Sequence, residues 1–176
     1  GFTLPAGIEP GLQELSYFTP KQAAYANGTH LAEVEVDIET GYAKVLRYWS
    51  GHDCGKMINP MTVEGQVLGG VAHGLGNALF EWMRYDENAQ PVTVNYGEYL
   101  LPLASDMPDV QQVHQEIPTP QNPLGVKGAG EGGTIPAIAA IIGAIENALE
   151  PFGVRISEAP LTPPRLLELI ECARKH

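Results

Sequence analysis

The run Asn122-Pro123-Leu124-Gly125-Val126-Lys127-Gly128-Ala129-Gly130-Glu131-Gly132-Gly133-Thr134 constrains this chain more than any other stretch. Glycine at that density suits neither helix nor strand. Each one costs a helix about 1 kcal/mol against alanine and leaves a strand without a side chain to pack. The run is therefore a loop, and a helical pattern begins directly after it. Thr134 is expected to cap that helix, with Pro136 in its first turn. One carboxylate, Glu131, stands in the loop with glycine on both sides. Glycine lets a backbone approach a ligand closely. A helix start presents unpaired N–H groups and a partial positive charge. A lone acid there is either a helix-capping charge or a catalytic base, and the loop alone leaves both open.

A second stretch, residues 63–84, reads VEGQVLGGVAHGLGNALFEWMR. Val63, Val67, Val71, Leu75, Ala78, Leu79 and Trp82 recur at helical spacing and form one apolar stripe. With 3.6 residues per turn the opposite face carries Gln66, Gly69, Gly70, His73 and Asn77, without a charge among them. A normal solvated face would be charged. Gly69, Gly70, Gly74 and Gly76 each weaken the helix, so something presses close against it. Another backbone and a polar ligand reached by Gln66, His73 and Asn77 are the two candidates.

The rest of the chain reads as an α+β fold with one sheet and about three helices, in a single domain spanning 1–176. Residues 1–30 are an extended lead-in that needs a neighbour to order it. Residues 31–38 alternate Val34, Val36 and Ile38 with Glu33, Glu35 and Asp37, the pattern of a half-buried strand. Glu39-Thr40-Gly41 is the turn to a return strand at 43–50, followed by a loop at 51–60 and a helix at 60–84. Residues 86–90 are turn-like. Residues 92–99 are a short strand, or a loop with Tyr96 and Tyr99 packed inward. Another strand is expected at 110–117. Ile135, Ile138, Ile142, Ile145 and Leu149 make the stripe of the helix after the glycine run, with Ala137, Ala140, Ala144 and Ala148 behind it. A short strand at 153–157 and a helix from Pro163 through Lys175 close the chain, the helix turning Arg165, Glu168, Glu171 and Arg174 to water.

Composition narrows the function. A formal net charge of −11 argues against nucleic acid and against an anionic membrane surface. No apolar run reaches the roughly 20 residues of a membrane span, and no signal pattern is present, so a cytoplasmic setting is expected. Cys54 and Cys172 cannot supply an iron–sulfur site, which needs four ligands in a compact pattern. A metal pair of His52 and Cys54 is less expected than a small residue in a turn. No metal ligand is assigned.

These stretches, taken in order, resemble the C-terminal part of the molybdopterin-binding large subunit of the molybdenum hydroxylases, the family of xanthine dehydrogenase, aldehyde oxidoreductases and aerobic carbon monoxide dehydrogenase. Ala32-Glu33-Val34-Glu35-Val36-Asp37, Thr40-Gly41, Asp53-Cys54-Gly55, Ile58-Asn59-Pro60, Val63-Glu64-Gly65-Gln66, Gly69-Gly70, Gly74-Leu75-Gly76, the glycine run, and Pro160-Leu161-Thr162-Pro163 carry the resemblance over nearly the whole chain. It is strongest toward the bacterial carbon monoxide dehydrogenase-like branch. These enzymes insert oxygen from water into a substrate carbon. The resemblance implies that Glu131 is the general base that takes the proton of that oxygen. It implies that Gln66 hydrogen-bonds the pterin, with Gly69, Gly70, His73, Lys127, Gly128 and Gly130 as further cofactor contacts. Gly132-Gly133 stand where animal relatives have prolines, a change expected in loop stiffness and not in chemistry.

The implied cofactor is a molybdenum–pterin, as the cytosine dinucleotide, shared with the rest of the subunit. FAD and [2Fe-2S] are expected on partner subunits only, and the substrate is a small molecule: an N-heterocycle, an aldehyde or carbon monoxide. The cysteine loop that an active-site copper requires is not in this chain. Two rivals stand beside this reading. One is a non-catalytic piece that only holds cofactor or structure. The other is a dinucleotide site, because Gly128-x-Gly130-x-x-Gly133 fits G-x-G-x-x-G; but three prolines and no strand-like run precede it.

Overall fold

The computed structural model describes residues 3–8 and 11–175. Strand β1 (Asn27–Val36) and strand β2 (Ala43–Asp53) form an antiparallel hairpin. Its turn is built by Asp37, whose carboxylate accepts from the N–H groups of Glu39 and Thr40. Gly41 closes it in the left-handed region at φ 72°, which glycine adopts without steric cost. Glu35 and Asp37 face water while Val34, Val36 and Ile38 pack toward the core, as the alternation predicts. Strand β3 (Asp109–His114) lies parallel to β2 on its other side, in the order β1-β2-β3.

One irregularity in the hairpin matters for everything that follows. The pairing passes from Glu33↔Arg47 to Val34↔Val45, so Leu46 is an extra residue in β2. An extra residue flips the side-chain phase of the strand beyond it. Burial accordingly passes from Ala43 and Val45 to Tyr48, Ser50 and His52. His30 of β1 bonds to two of these, with Nδ1 2.7 Å from the Tyr48 hydroxyl and Nε2 2.8 Å from Ser50 Oγ. Burial holds the His30 ring below its ordinary pKa, with His52 adding to the effect, and pushes the Tyr48 hydroxyl up.

Helix α1 (Pro60–Leu79) starts on Asn59, whose side chain accepts from the Thr62 N–H, with Pro60 in the first turn. It buries Val67, Val71, Leu75, Ala78 and Leu79. Helix α2 (Ile135–Ala148) packs against α1 and β1, a single 3₁₀ turn (Glu150–Phe152) follows, and helix α3 (Pro163–Ala173) adds Leu166 and Ile170 to the same core. The sheet with three helices is the expected α+β class.

Several boundaries differ from the sequence expectation. Strand β1 begins at Asn27, inside the expected lead-in, because Asn27 to His30 pair with Asp53 to Ser50; β2 therefore runs to Asp53 instead of giving way to a loop at 51. Helix α1 stops at Leu79, not at Arg84. The Gly76 carbonyl accepts from both Phe80 and Glu81, and the Glu81 carboxylate folds into the space Gly76 leaves free. Trp82 is thus outside the helix and half exposed. Residues 92–99 are a loop in which Tyr96 is exposed and Tyr99 donates to Glu81. Strand β3 ends at His114, three residues early, where the Gln115 N–H turns to the His52 carbonyl. Residues 153–157 form no strand; the Ile156 N–H bonds to the Glu146 carboxylate instead of a neighbouring strand. In α2 the buried line is Ala137, Ile141 and Ile145, continued by Leu149, while Ile135 is exposed. The helix is rotated from its expected stripe because alanine, not isoleucine, fits against Gly74 of α1.

Candidate functional site

The loop carrying Glu131 is clamped from three sides. Helix α1 holds it at one end, where Gln66 Nε2 donates to the Gly130 carbonyl at 2.7 Å. The same helix meets it again at Gly70: a Cβ there would stand 2.7 Å from Gly133 Cα and 2.8 Å from the Thr134 nitrogen. Gly133 in turn lies against the Val67 carbonyl, where no side chain fits. Strand β2 supplies the third contact, because a Cβ on Gly132 would collide with the His52 ring. Gly132 and Gly133 are thus packing glycines.

The start of α2 bears on the capping role open to Glu131. Thr134 makes no side-chain capping bond, against expectation. The Glu131 backbone carbonyl takes that place, accepting from the N–H groups of Thr134 and Ile135. The Glu131 side chain makes no hydrogen bond or ion pair among the described residues. Glu131, an exposed residue, is part of the lining of a groove of about 560 Å³ together with Gly128, Gly130, His52 and Tyr25. The capping work is done by the main chain, and the carboxylate is left over.

Below the loop lies an ion pair. Lys127 Nζ is 2.7 Å from Asp53 Oδ2, and both side chains are more than nine-tenths buried. Burial by itself would raise the Asp53 carboxyl, but the Lys127 ammonium and the N–H groups of Gly55 and Ile117 outweigh it and hold the group below its ordinary value. The Lys127 N–H also donates to the Cys54 carbonyl. Lys127 is expected among the cofactor contacts; in the structure its ammonium pairs with Asp53, a contact that anchors the loop. Cys54 is buried beside the bend after β2, and among the described residues no cluster of three metal-ligating side chains occurs.

The remaining expected contacts divide in two. Gly70 is buried against backbone, while Gln66, Gly69 and His73 lie exposed on the same helix. Gly69, Gly128 and Gly130 have nothing within 4 Å of where a Cβ would stand, and none has a positive φ. Neither packing nor conformation within the chain calls for glycine at these three positions. The dinucleotide alternative fails on its context. Thirteen residues separate β3 from Gly128 (127 − 114 = 13), and the only regular pairing in them is one bridge between Gly55 and Val126.

The molybdopterin cofactor-binding domain family matches residues 6–108. The chain belongs to that family, the molybdopterin-binding part of the molybdenum hydroxylases. It is 40% identical over 163 residues to the nicotine 6-hydroxylase large subunit of Paenarthrobacter nicotinovorans, covering 93% of this chain and 20% of that protein. Quinoline 2-oxidoreductase from Pseudomonas putida 86 superposes with a TM-score of 0.81 at 43% identity, over 83% of this chain and 19% of that one. The Cu,Mo-CO dehydrogenase superposes with a TM-score of 0.89 at 30% identity, over 98% and 22%. The chain spans about a fifth of the length of these relatives.

The residues present fit a bound pterin. Gly128 and Gly130 leave room along the groove that a side chain would fill, Gly69 leaves the same on α1, and Gln66 has a carbonyl oxygen and one amide hydrogen without a partner among the described residues. Two residues of the site were not legible beforehand. Tyr25 reaches the groove from the lead-in, and His52 reaches it through the Leu46 bulge, for which no residue pattern gives a signal.

Proposed function

We propose that this chain is the portion of a molybdenum hydroxylase large subunit that supplies the general base, Glu131, and one wall of the cofactor cradle. The observation that carries the reading is the Glu131 carboxylate. The residue lines the groove, and its carboxylate has no partner among the described residues while its own carbonyl accepts from the start of α2. A structural acid would be expected to bond to the helix start beside it. In the assembled enzyme Gln66, Gly69, Gly128 and Gly130 would face the pterin, with His73 on the exposed side of α1. When bound, the molybdenum–pterin cofactor, here proposed as the cytosine dinucleotide, supplies the two-electron redox chemistry. Glu131 holds the proton removed from the water-derived oxygen and later releases it to solvent. Partner subunits carrying [2Fe-2S] and FAD would supply the electron acceptors, in a cytoplasmic complex.

Among the substrates considered, an N-heterocycle comes first. The relatives named for nicotine and quinoline are 40% and 43% identical to this chain, and the carbon monoxide dehydrogenases 30% to 35%. The test is Glu131→Gln in the assembled enzyme. It keeps size and hydrogen bonding and cannot take the proton. Turnover should fall at least about a hundredfold, with molybdenum and pterin content near normal. A fully loaded variant that is still fast would leave the chain as a cofactor-holding piece only.

A further inference from the structure

We propose that His52 is a positioning residue for Glu131: its imidazole fills the space behind Gly132 and sets how far the Glu131 loop stands into the groove. The inference rests on the reading of Glu131 as the base, and it concerns a groove residue that is not among the cofactor contacts named above.

His52 is 3% exposed, and both its ring nitrogens are enclosed without a hydrogen-bond partner. Among the described residues nothing bonds to them, so within this chain the contacts that place the ring are packing contacts. On one side it meets the edge of His114 from β3, with ring centroids 6.1 Å apart at 88°. Both His114 ring nitrogens are likewise enclosed and unpartnered. On the other side it abuts Gly132, next in the chain to Glu131. His114, His52 and Gly132 therefore form a column of contacts that runs from the sheet to the loop. Gly132 does not have a positive φ, so its backbone accepts any residue and only the His52 ring demands glycine. The loop's other anchors grip Gly130 and Gly133. Between them, the segment that carries the carboxylate leans on His52. A displacement of about 1 Å in a catalytic group can lower a rate a hundredfold, so the depth of this seat bears directly on turnover.

A size swap in the assembled enzyme tests the column. Gly132→Ala puts a methyl group into the ring's space and should push the loop outward. His52→Ala removes the support. In the double variant the new methyl group occupies the vacated space. Gly132→Ala should lower kcat about a hundredfold, with KM little changed and with molybdenum and pterin content retained. The double variant should recover about tenfold of that loss, the sign of a direct contact. Amide hydrogen exchange of the segment 128–135 gives a second readout, independent of turnover. It should rise in each single variant and return toward the parent in the double. If His52→Ala does not assemble, His52→Ser takes its place in the same pairing. Single effects that merely multiply, a Gly132→Ala enzyme unchanged in rate and exchange, or recovered exchange without recovered rate would each overturn the proposal. If Glu131→Gln stays fast, the base reading falls by that result, and the exchange pattern alone decides whether His52 seats the loop.

Discussion

At the scale of single residues the Asp53–Lys127 pair shows why a charged side chain near a site need not touch a ligand. Removing one partner of a buried ion pair leaves an uncompensated charge, at a cost of about 3–5 kcal/mol. Lys127→Met should lower stability by about 3 kcal/mol, toward the lower end of that range, because two backbone N–H groups still serve Asp53. Urea unfolding of parent and variant measures it, and a loss under about 1 kcal/mol would assign the lysine to the surface, where ion pairs contribute little. The pair also fixes an acid dependence. The folded Asp53 value lies below the ordinary 3.8, so its contribution is complete above that pH and is lost as pH falls through the lower, folded value. Sequence made Glu131 legible, because a lone acid among glycines has few uses, and the resemblance then chose between them. It did not reveal that Lys127 turns inward or that His52 stands behind the loop. Both depend on partners 74 and 80 positions away (127 − 53 and 132 − 52).

At the scale of elements, α1 divides its glycines between two jobs that the sequence left merged. Gly70 and Gly74 let the loop and α2 come close, while Gly69 faces open space. The two kinds should respond oppositely to substitution. Gly70→Val would drive a branched side chain into Gly133 and Thr134, and the fold itself should suffer. Gly69→Ala should stabilise the chain by up to about 1 kcal/mol through helix propensity, yet reduce pterin retention in the assembled enzyme. Thermal unfolding and cofactor content read the two effects separately. A Gly69→Ala enzyme with normal pterin content would remove that position from the cradle. Periodicity found α1, α2, α3 and the hairpin because each has one apolar face that must be covered. It misjudged the end of α1 and the rotation of α2 because these follow from tertiary contacts: Glu81 folding over Gly76, and Ala137 against Gly74. The apparent strands at 92–99 and 153–157 carried β-forming residues but found no sheet edge to join.

At the scale of the molecule, the chain leaves much apolar surface in water. Leu12, Leu15, Tyr17 and Phe18 of the lead-in are exposed, and so are Tyr96, Leu103 and their neighbours in the loop after α1. Apolar surface of that extent is what a neighbouring protein surface would cover on the function proposed above. The groove at Glu131 is equally one-sided. It has a floor of loop glycines and a wall from the lead-in, and among the described residues no group of side chains could hold a metal. On the function proposed above, a fifth of the relatives' length supplies a base and part of a cradle. The expected consequence is that the 176-residue chain, purified by itself, binds no molybdenum tightly and has no turnover, while the same chain joined to the remainder of its subunit does both. Metal analysis and dye reduction on the two preparations make the comparison, and the hydrophobic dye ANS should bind the lone chain and not the assembly. The last readout separates a chain that lacks its cover from one that fails to fold, since cooperative urea unfolding would persist in the first case. A lone chain that carries stoichiometric molybdenum and reduces a dye would show that these residues are a complete site, and that the exposed surface serves some other contact.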